Sequence, residues 1–178
     1  MKWVAPAASG ANWSLLNAGG TSLSGATTTV SGISGKDKIL VLFAGASSSS
    51  GSAYIGLRLN TDTGSNYTQR GATVQGASSY SAGIVGTFDI APGTFIYVGE
   101  GSTNANSALQ GYVELSGCNS AGVKAFTLSG GMGAEGNSGQ RLITGAGIYD
   151  SASTITSVSA FTSAGSFDSG SIFVYTSA

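Results

Sequence analysis

The side chains able to do chemistry are few, and their types exclude most of it. There is no histidine, which removes the usual general base, the usual activator of a nucleophile and the commonest zinc ligand together. Ser-His-Asp and Cys-His arrangements are therefore impossible within one chain. Cys118 is the one cysteine, so no intrachain disulfide and no thiolate metal cluster can form. It reads as a small buried hydrophobe. Eight carboxylates remain: Asp37, Asp62, Asp89, Glu100, Glu114, Glu135, Asp150 and Asp168. A glycosidase needs two of them about 5 to 9.5 Å apart across a cleft, and Glu100 with Glu114 is a pair that spacing leaves open. Carboxylates facing solvent, or paired with Arg58, Lys124 or Arg141, are the plainer reading. The expectation is a protein that is not an enzyme, with no catalytic residue, no cofactor and no metal.

Binding candidates are more numerous. Asn60-Thr61-Asp62-Thr63-Gly64-Ser65-Asn66 spaces oxygen ligands as calcium loops do, but it lacks the clustered carboxylates and the distal glutamate of an EF-hand. The reading adopted is a turn capped by its own side chains. Tyr54, Tyr67, Tyr80, Tyr97 and Tyr112 are candidates for a sugar-stacking platform, since a phenol offers a ring face and a polar edge. Half-buried strand tyrosines, with the hydroxyl reaching the rim, are the plainer reading. Trp3, Val4, Pro6 and Trp13 lie in an apolar stretch near the amino terminus and are expected to meet a partner, with Trp13 fixing that stretch to the body. The glycine groups Gly83–Gly86, Gly145–Gly147 and Gly130–Gly133 open no helix and precede no Gly-Lys-Ser/Thr, so they are not phosphate loops. They mark bulges or close backbone approach in strands.

The elements that must carry these residues are strands. The 29 glycines would dissolve helices, each costing a helix interior about 1 kcal/mol relative to Ala, and no window shows an i, i+3, i+4 apolar repeat. Short alternating runs separated by Gly/Ser/Asn/Asp clusters recur instead. Strands are expected at 12–17, 28–33, 38–46, 53–60, 67–74, 82–90, 94–100, 108–116, 124–129, 142–149, 155–162 and 171–176. Ile55, Leu57 and Leu59 share one face; so do Leu109, Val113 and Leu115, opposite Gln110, Tyr112 and Glu114. The unbroken run Ile39–Phe43 predicts a central strand covered on both faces. Ser47–Ser52 and Gly130–Gly139 read as exposed loops. The 178 residues then form one all-β, antiparallel β-sandwich over 14–178 with an arm at 1–13 and essentially no helix. Only 8% of residues are charged, against about a quarter in an average domain, and the net charge of −1 lacks the basic footprint of nucleic-acid binding. No run suits a membrane span, and the start MKWVAPAASGANW has no apolar signal core.

Three segments carry a resemblance. Leu57–Tyr67 fits LR(L/F/I)N-x-DTG-x-NY. Ser31–Val41 is similar to an SGISG-x-x-K start. The pieces Ile155–Val158 and Phe167–Tyr175 are similar to an ITSI…F-x-SG-x-x-x-x-Y close. Together they resemble a family of small phage virion proteins. The resemblance implies a jelly-roll-like sandwich on the particle surface, made in the host cytoplasm. It implies a capsid decoration (cement) protein bound to the major capsid protein as a homo-oligomer, a trimer being favoured. A tail-fibre or tail-tip receptor-binding role, with glycan as ligand, is the alternative. The family commonly has Gly where Thr61 stands, and it brings no catalytic residues.

Overall fold

The computed structural model describes residues 13–51, 53–75, 84–100, 108–133 and 141–178. Among them there is no helix, and thirteen strands form two antiparallel sheets. In chain order these are β1 (Ser14–Leu15), β2 (Thr21–Ser22), β3 (Thr27–Ser31), β4 (Lys38–Ser48), β5 (Tyr54–Leu59), β6 (Tyr67–Gln75) and β7 (Ile84–Gly93). They continue as β8 (Ile96–Glu100), β9 (Leu109–Ser116), β10 (Lys124–Met132), β11 (Arg141–Tyr149), β12 (Ser157–Thr162) and β13 (Phe167–Ser177). The large sheet runs β1-β13-β4-β9-β10-β11-β6-β7, with β2 also on β13; the small sheet runs β3-β12-β5-β8. Early strands pair with late ones: β3 and β5 with β12, β4 with β13, β6 with β11. The chain is thus a long hairpin wound over both sheets, the all-β sandwich that the alternating pattern predicts.

Alternation places the core. Ile39, Val41 and Phe43 of β4, Leu109, Val113 and Leu115 of β9, and Ile172 and Val174 of β13 are buried on the inner side of the large sheet. Ile55, Leu57 and Leu59 of β5 and Val158 and Ala160 of β12 meet them from the small sheet. Each Val, Leu, Ile or Phe among them contributes roughly 1.5 to 3 kcal/mol by leaving water. Glycine does the opposite work on the large sheet. A Cβ on Gly145 would stand 3.3 Å from the Phe88 ring, and one on Gly147 would stand 2.5 Å from the Phe126 ring. The rings sit near bare backbone, the close approach expected of strand glycines.

A polar clamp joins the layers. Gln69 on β6 is fully buried; its Nε2 donates to the Tyr97 carbonyl at 2.8 Å, and its Oε1 accepts from the Tyr97 amide at 2.8 Å. The amide side chain acts as one residue of a missing strand, satisfying β8 from the opposite sheet.

Three expectations are corrected. β4 is central but fully buried on one face only: Leu40 and Leu42, on the other face, are half-buried. A continuous apolar run does not distinguish the two cases. Ser47 and Ser48 belong to β4 and are buried rather than looped. Ser47 Oγ bonds Asp168 and Ser169, and Ser48 Oγ donates to the Ala164 carbonyl at 2.8 Å, so tertiary partners satisfy hydroxyls that composition assigns to solvent. The two-residue strand β2 carries no readable period. Of Gly130–Gly139, the first three residues finish β10, while 134–139 lie outside the described residues, as do Ser52 and the arm residues 1–12.

Candidate functional site

The Leu57–Tyr67 motif is a corner that holds the fold. The Asp62 amide donates to the Leu59 carbonyl at 2.9 Å, and the intervening Asn60 and Thr61 have φ of 54° and 57°. This is the double left-handed turn that suits a tight hairpin reversal. Asp62 caps it: Oδ1 accepts from the Gly64 amide at 2.7 Å, and Oδ2 accepts from Asn66 Nδ2 at 2.7 Å and from the Tyr149 hydroxyl at 2.8 Å. Burial raises the pKa of this carboxyl, and the bonds from Asn66, Gly64 and Tyr149 outweigh it, leaving the group below its ordinary 3.8. The turn is self-capped, as read from its residue types.

The corner also gathers the other two segments. Asn60 Oδ1 accepts from the Thr156 and Ser157 amides at 2.7 and 3.3 Å, and Asn60 Nδ2 donates to the Thr154 carbonyl at 2.8 Å. The Ile33 amide donates to the Thr156 carbonyl at 3.1 Å, and Ser31 registers against Ser157. Farther along, Ile39–Val41 pairs with Val174–Thr176. Segments some 94 to 97 residues apart at Asn60, and farther apart at Ile33, thus make one hydrogen-bonded unit. Thr61 is its strained member, because a β-branched residue in the left-handed region costs roughly 1 to 2 kcal/mol. Thr61→Gly should therefore raise the urea midpoint, by a net gain of about 0.5 to 1 kcal/mol after the added chain entropy. A lower midpoint would show that the Thr61 Oγ1 bond to the Asn60 carbonyl, 2.6 Å long, outweighs the strain.

The tyrosine set is divided by the structure. Tyr67 is fully buried, its ring 4.7 Å from that of Tyr149 and its hydroxyl accepting from the Leu59 amide at 3.0 Å. It is a core residue, because the corner supplies the polar partner its phenol needs, and it is withdrawn from the sugar-contact set. Tyr112 lies on the large sheet, 40% exposed, away from the others, and Tyr80 lies outside the described residues. Tyr54 and Tyr97 do come together, with ring centroids 6.2 Å apart. Tyr54 stacks on Phe95 at 5.1 Å and 10°, and both rings meet Phe161 edge-on. Gly56 underlies this cluster: a Cβ there would stand 2.5 Å from Phe161 and 2.9 Å from Phe95. The Arg58 guanidinium sits 4.0 Å above the Phe161 ring, a cation–π contact. The phenylalanines Phe95 and Phe161 were missed in the sequence; the bare glycine of Tyr54-Ile55-Gly56 was the available signal.

The remaining candidates lie apart. Asp89 pairs with Arg70 at 3.1 Å on the surface, a contact worth little in stability. Asp168 bonds Ser47, and Glu114 faces outward from β9. Lys124 is fully buried and donates to the Gly122 and Ser151 carbonyls at 2.7 and 2.5 Å, rather than to a carboxylate. Burial depresses its pKa, with Cys118 and Asp150 nearby opposing. Cys118 is a buried thiol, and Trp13 stands 37% exposed beside β1. Trp3, Val4, Pro6, Gly83 and Glu135 are outside the described residues, and nothing is described of the Glu100 side chain. Among the described residues no three acidic, His or Cys side chains group as a metal site. No protein-family model matches the chain, and neither a curated protein nor a solved structure matches it.

Proposed function

We propose that this chain is a structural protein of a bacteriophage particle, a capsid decoration protein that binds the major capsid protein and stabilises the head. The observation that carries the reading is the corner. Three sequence segments, each similar on its own to the virion family, meet through the hydrogen bonds of Asn60, Ile33 and Thr156. Chance likeness in Gly/Ser-rich sequence has no reason to select positions that bond one another. The early–late strand pairing also suits the jelly-roll-like winding that the resemblance implies. The body is suited to persistence outside a cell: its turns are tied by side chains, and basic residues that proteases favour are few. Self-association and a shell partner are part of the proposal, as is the absence of catalysis. Peptide mass spectrometry of purified particles tests it, with the chain expected at high copy and its absence from the particle contradicting the reading.

The Tyr54–Phe95–Tyr97 cluster favours a second reading, attachment to host glycan from the tail. Half-buried rings beside Arg58 offer the stacking face and donors that sugars use. A glycan array probes it: binding lost in Tyr54→Ala supports attachment, and silence across the array leaves the cluster as packing over Gly56.

A further inference from the structure

Among the described residues the outer face of the large sheet carries few charges, and its residues fall into four registered rows. One row reads Leu40, Glu114, Thr127, Ala146, Arg70, Asp89 from β4 to β7, and the next reads Leu42, Tyr112, Ser129, Thr144, Ala72, Thr87. On one side of these lie Gln110, Gly131, Leu142 and Val74; on the other lie Ser116, Ala125, Ile148 and Thr68. The large apolar members are exposed, Leu142 at 62%, Ile148 at 41%, Tyr112 at 40% and Val74 at 39%. Such a face in contact with water is the kind of surface that marks an interface.

We infer that this face pairs with the same face of a second copy, about a two-fold axis lying between β10 and β11 and running along the strands. Register distinguishes this axis from one across the strands. Rotation about it sets β9 of one copy over β6 of the other, and β10 over β11. Glu114 then stands over the partner copy's Arg70, and the reverse contact follows by symmetry, as an isologous interface requires. The same rotation sets three of the exposed bulky residues over small ones, Leu142 over Gly131, Ile148 over Ala125 and Tyr112 over Ala72, while Val74 meets Gln110, Leu42 meets Thr87 and Leu40 meets Asp89. The centre brings Thr127 against Ala146 and Ser129 against Thr144. A two-fold axis across the strands instead opposes Leu142 to Ile148 and leaves Glu114 over Tyr112, which wastes both complementarities.

Charge and area agree with the pairing. Glu114 has no side-chain partner among the described residues, and Arg70 is held only by its exposed pair with Asp89. In the pair Arg70 bridges two carboxylates, one from each copy. Six strands at about 4.8 Å spacing and four rows at about 6.7 Å make a plane on the order of 700 Å², close to the roughly 800 Å² per partner of a standard interface. A surface hollow of about 490 Å³ lined by Val74, Gln110, Gly131, Met132, Arg141 and Leu142 opens at one end of that plane. It receives the Leu142 that the rotation places over Gly131.

Sedimentation velocity of the full chain over a concentration series tests the inference, without any particle and so independently of the virion reading. The expected result is a reversible species of twice the chain mass. Ala146→Arg, an exposed substitution beside the axis, should abolish it while circular dichroism stays unchanged. Glu114→Arg should weaken association about ten-fold or more by opposing the second copy's Arg70. In an Asp89→Asn background, adding Arg70→Glu to Glu114→Arg should restore association to within about three-fold, because the swapped charges meet again. A monomer at every concentration, a trimer, or a dimer indifferent to both Ala146→Arg and Glu114→Arg overturns the pairing.

Discussion

Gly147→Ala should cost roughly 3 to 5 kcal/mol, enough to remove much of the stability of a domain of this size, which is about 5 to 15 kcal/mol. The methyl would overlap the Thr68 carbonyl oxygen of the neighbouring strand and enter the Phe126 ring at 2.5 Å. Neither obstacle can yield cheaply. Thr68 lies within β6, whose register with β11 runs unbroken from Tyr67↔Tyr149 to Gln75↔Arg141. Phe126 is 2% exposed and wedged between the sheets. Ala146→Ser is the control, one residue away on the solvent face, and should change stability by less than about 0.5 kcal/mol. Urea unfolding of the two variants compares them directly. A Gly147→Ala protein as stable as the parent would mean that β11 and β6 do not pack as described.

Alkali should unfold the protein well before it damages the chain. Burial raises the Cys118 thiol from 9.0 to about 12, with Asp37 adding and Lys124 opposing. Burial likewise raises Tyr97 from 10.0 to about 12, against Arg141. Tyr67 and Tyr149 are raised by burial too, Tyr67 further by Tyr149 and Asp62, and Tyr149 further by its bond to Asp62. The native state therefore holds four protons more tightly than the unfolded chain does. Their contribution is complete below pH 9, where both states are protonated, and is lost as pH rises through the folded values toward 12. Lys124 acts the other way, since its depressed pKa adds stability as pH approaches 10.5; one group does not offset four. Urea midpoints should be level near neutrality and fall steeply from about pH 9 upward. Tyrosinate absorbance should rise in step with loss of circular dichroism, because these phenols ionise on unfolding. Tyrosines that titrate fully while the sheets persist would contradict their burial.

Much of the fold was legible because period-two alternation survives in the solution the chain adopts. Ile55, Leu57 and Leu59 turn inward together, as do Leu109, Val113 and Leu115. Residue type also revealed the Asn60–Asn66 turn, because Asx capping is a local property. Its deeper role was not legible. Nothing near Asn60 says that its side chain will bind Thr154 and Thr156, which arrive only when β12 lies down beside β5.

The misread residues share one cause. Tyr67 reads in sequence as a half-buried strand tyrosine with its hydroxyl at the rim, and Ser47 and Ser48 as loop hydroxyls, since isolated polar groups belong in water. Distant partners remove that need, at Leu59 for the tyrosine and at Asp168 and Ala164 for the serines. Leu40 and Leu42 erred in the opposite direction: an apolar run implied two fully covered faces, where the structure leaves these two only half-buried. The outer face itself was invisible in the sequence, since Glu114, Thr127, Ala146 and Arg70 become a row only through three separate strand registers. The aromatic cluster was half visible. Tyr54 and Tyr97 were named, but the stacking of Phe95 and Phe161 over Gly56 needs β5, β8 and β12 side by side.

The most direct test of the central claim is immunogold electron microscopy of intact particles with antibody raised against this chain. A decoration protein predicts label spread over the head. Label confined to the tail or its tip would contradict the capsid role and turn attention to Tyr54, Phe95 and Arg58.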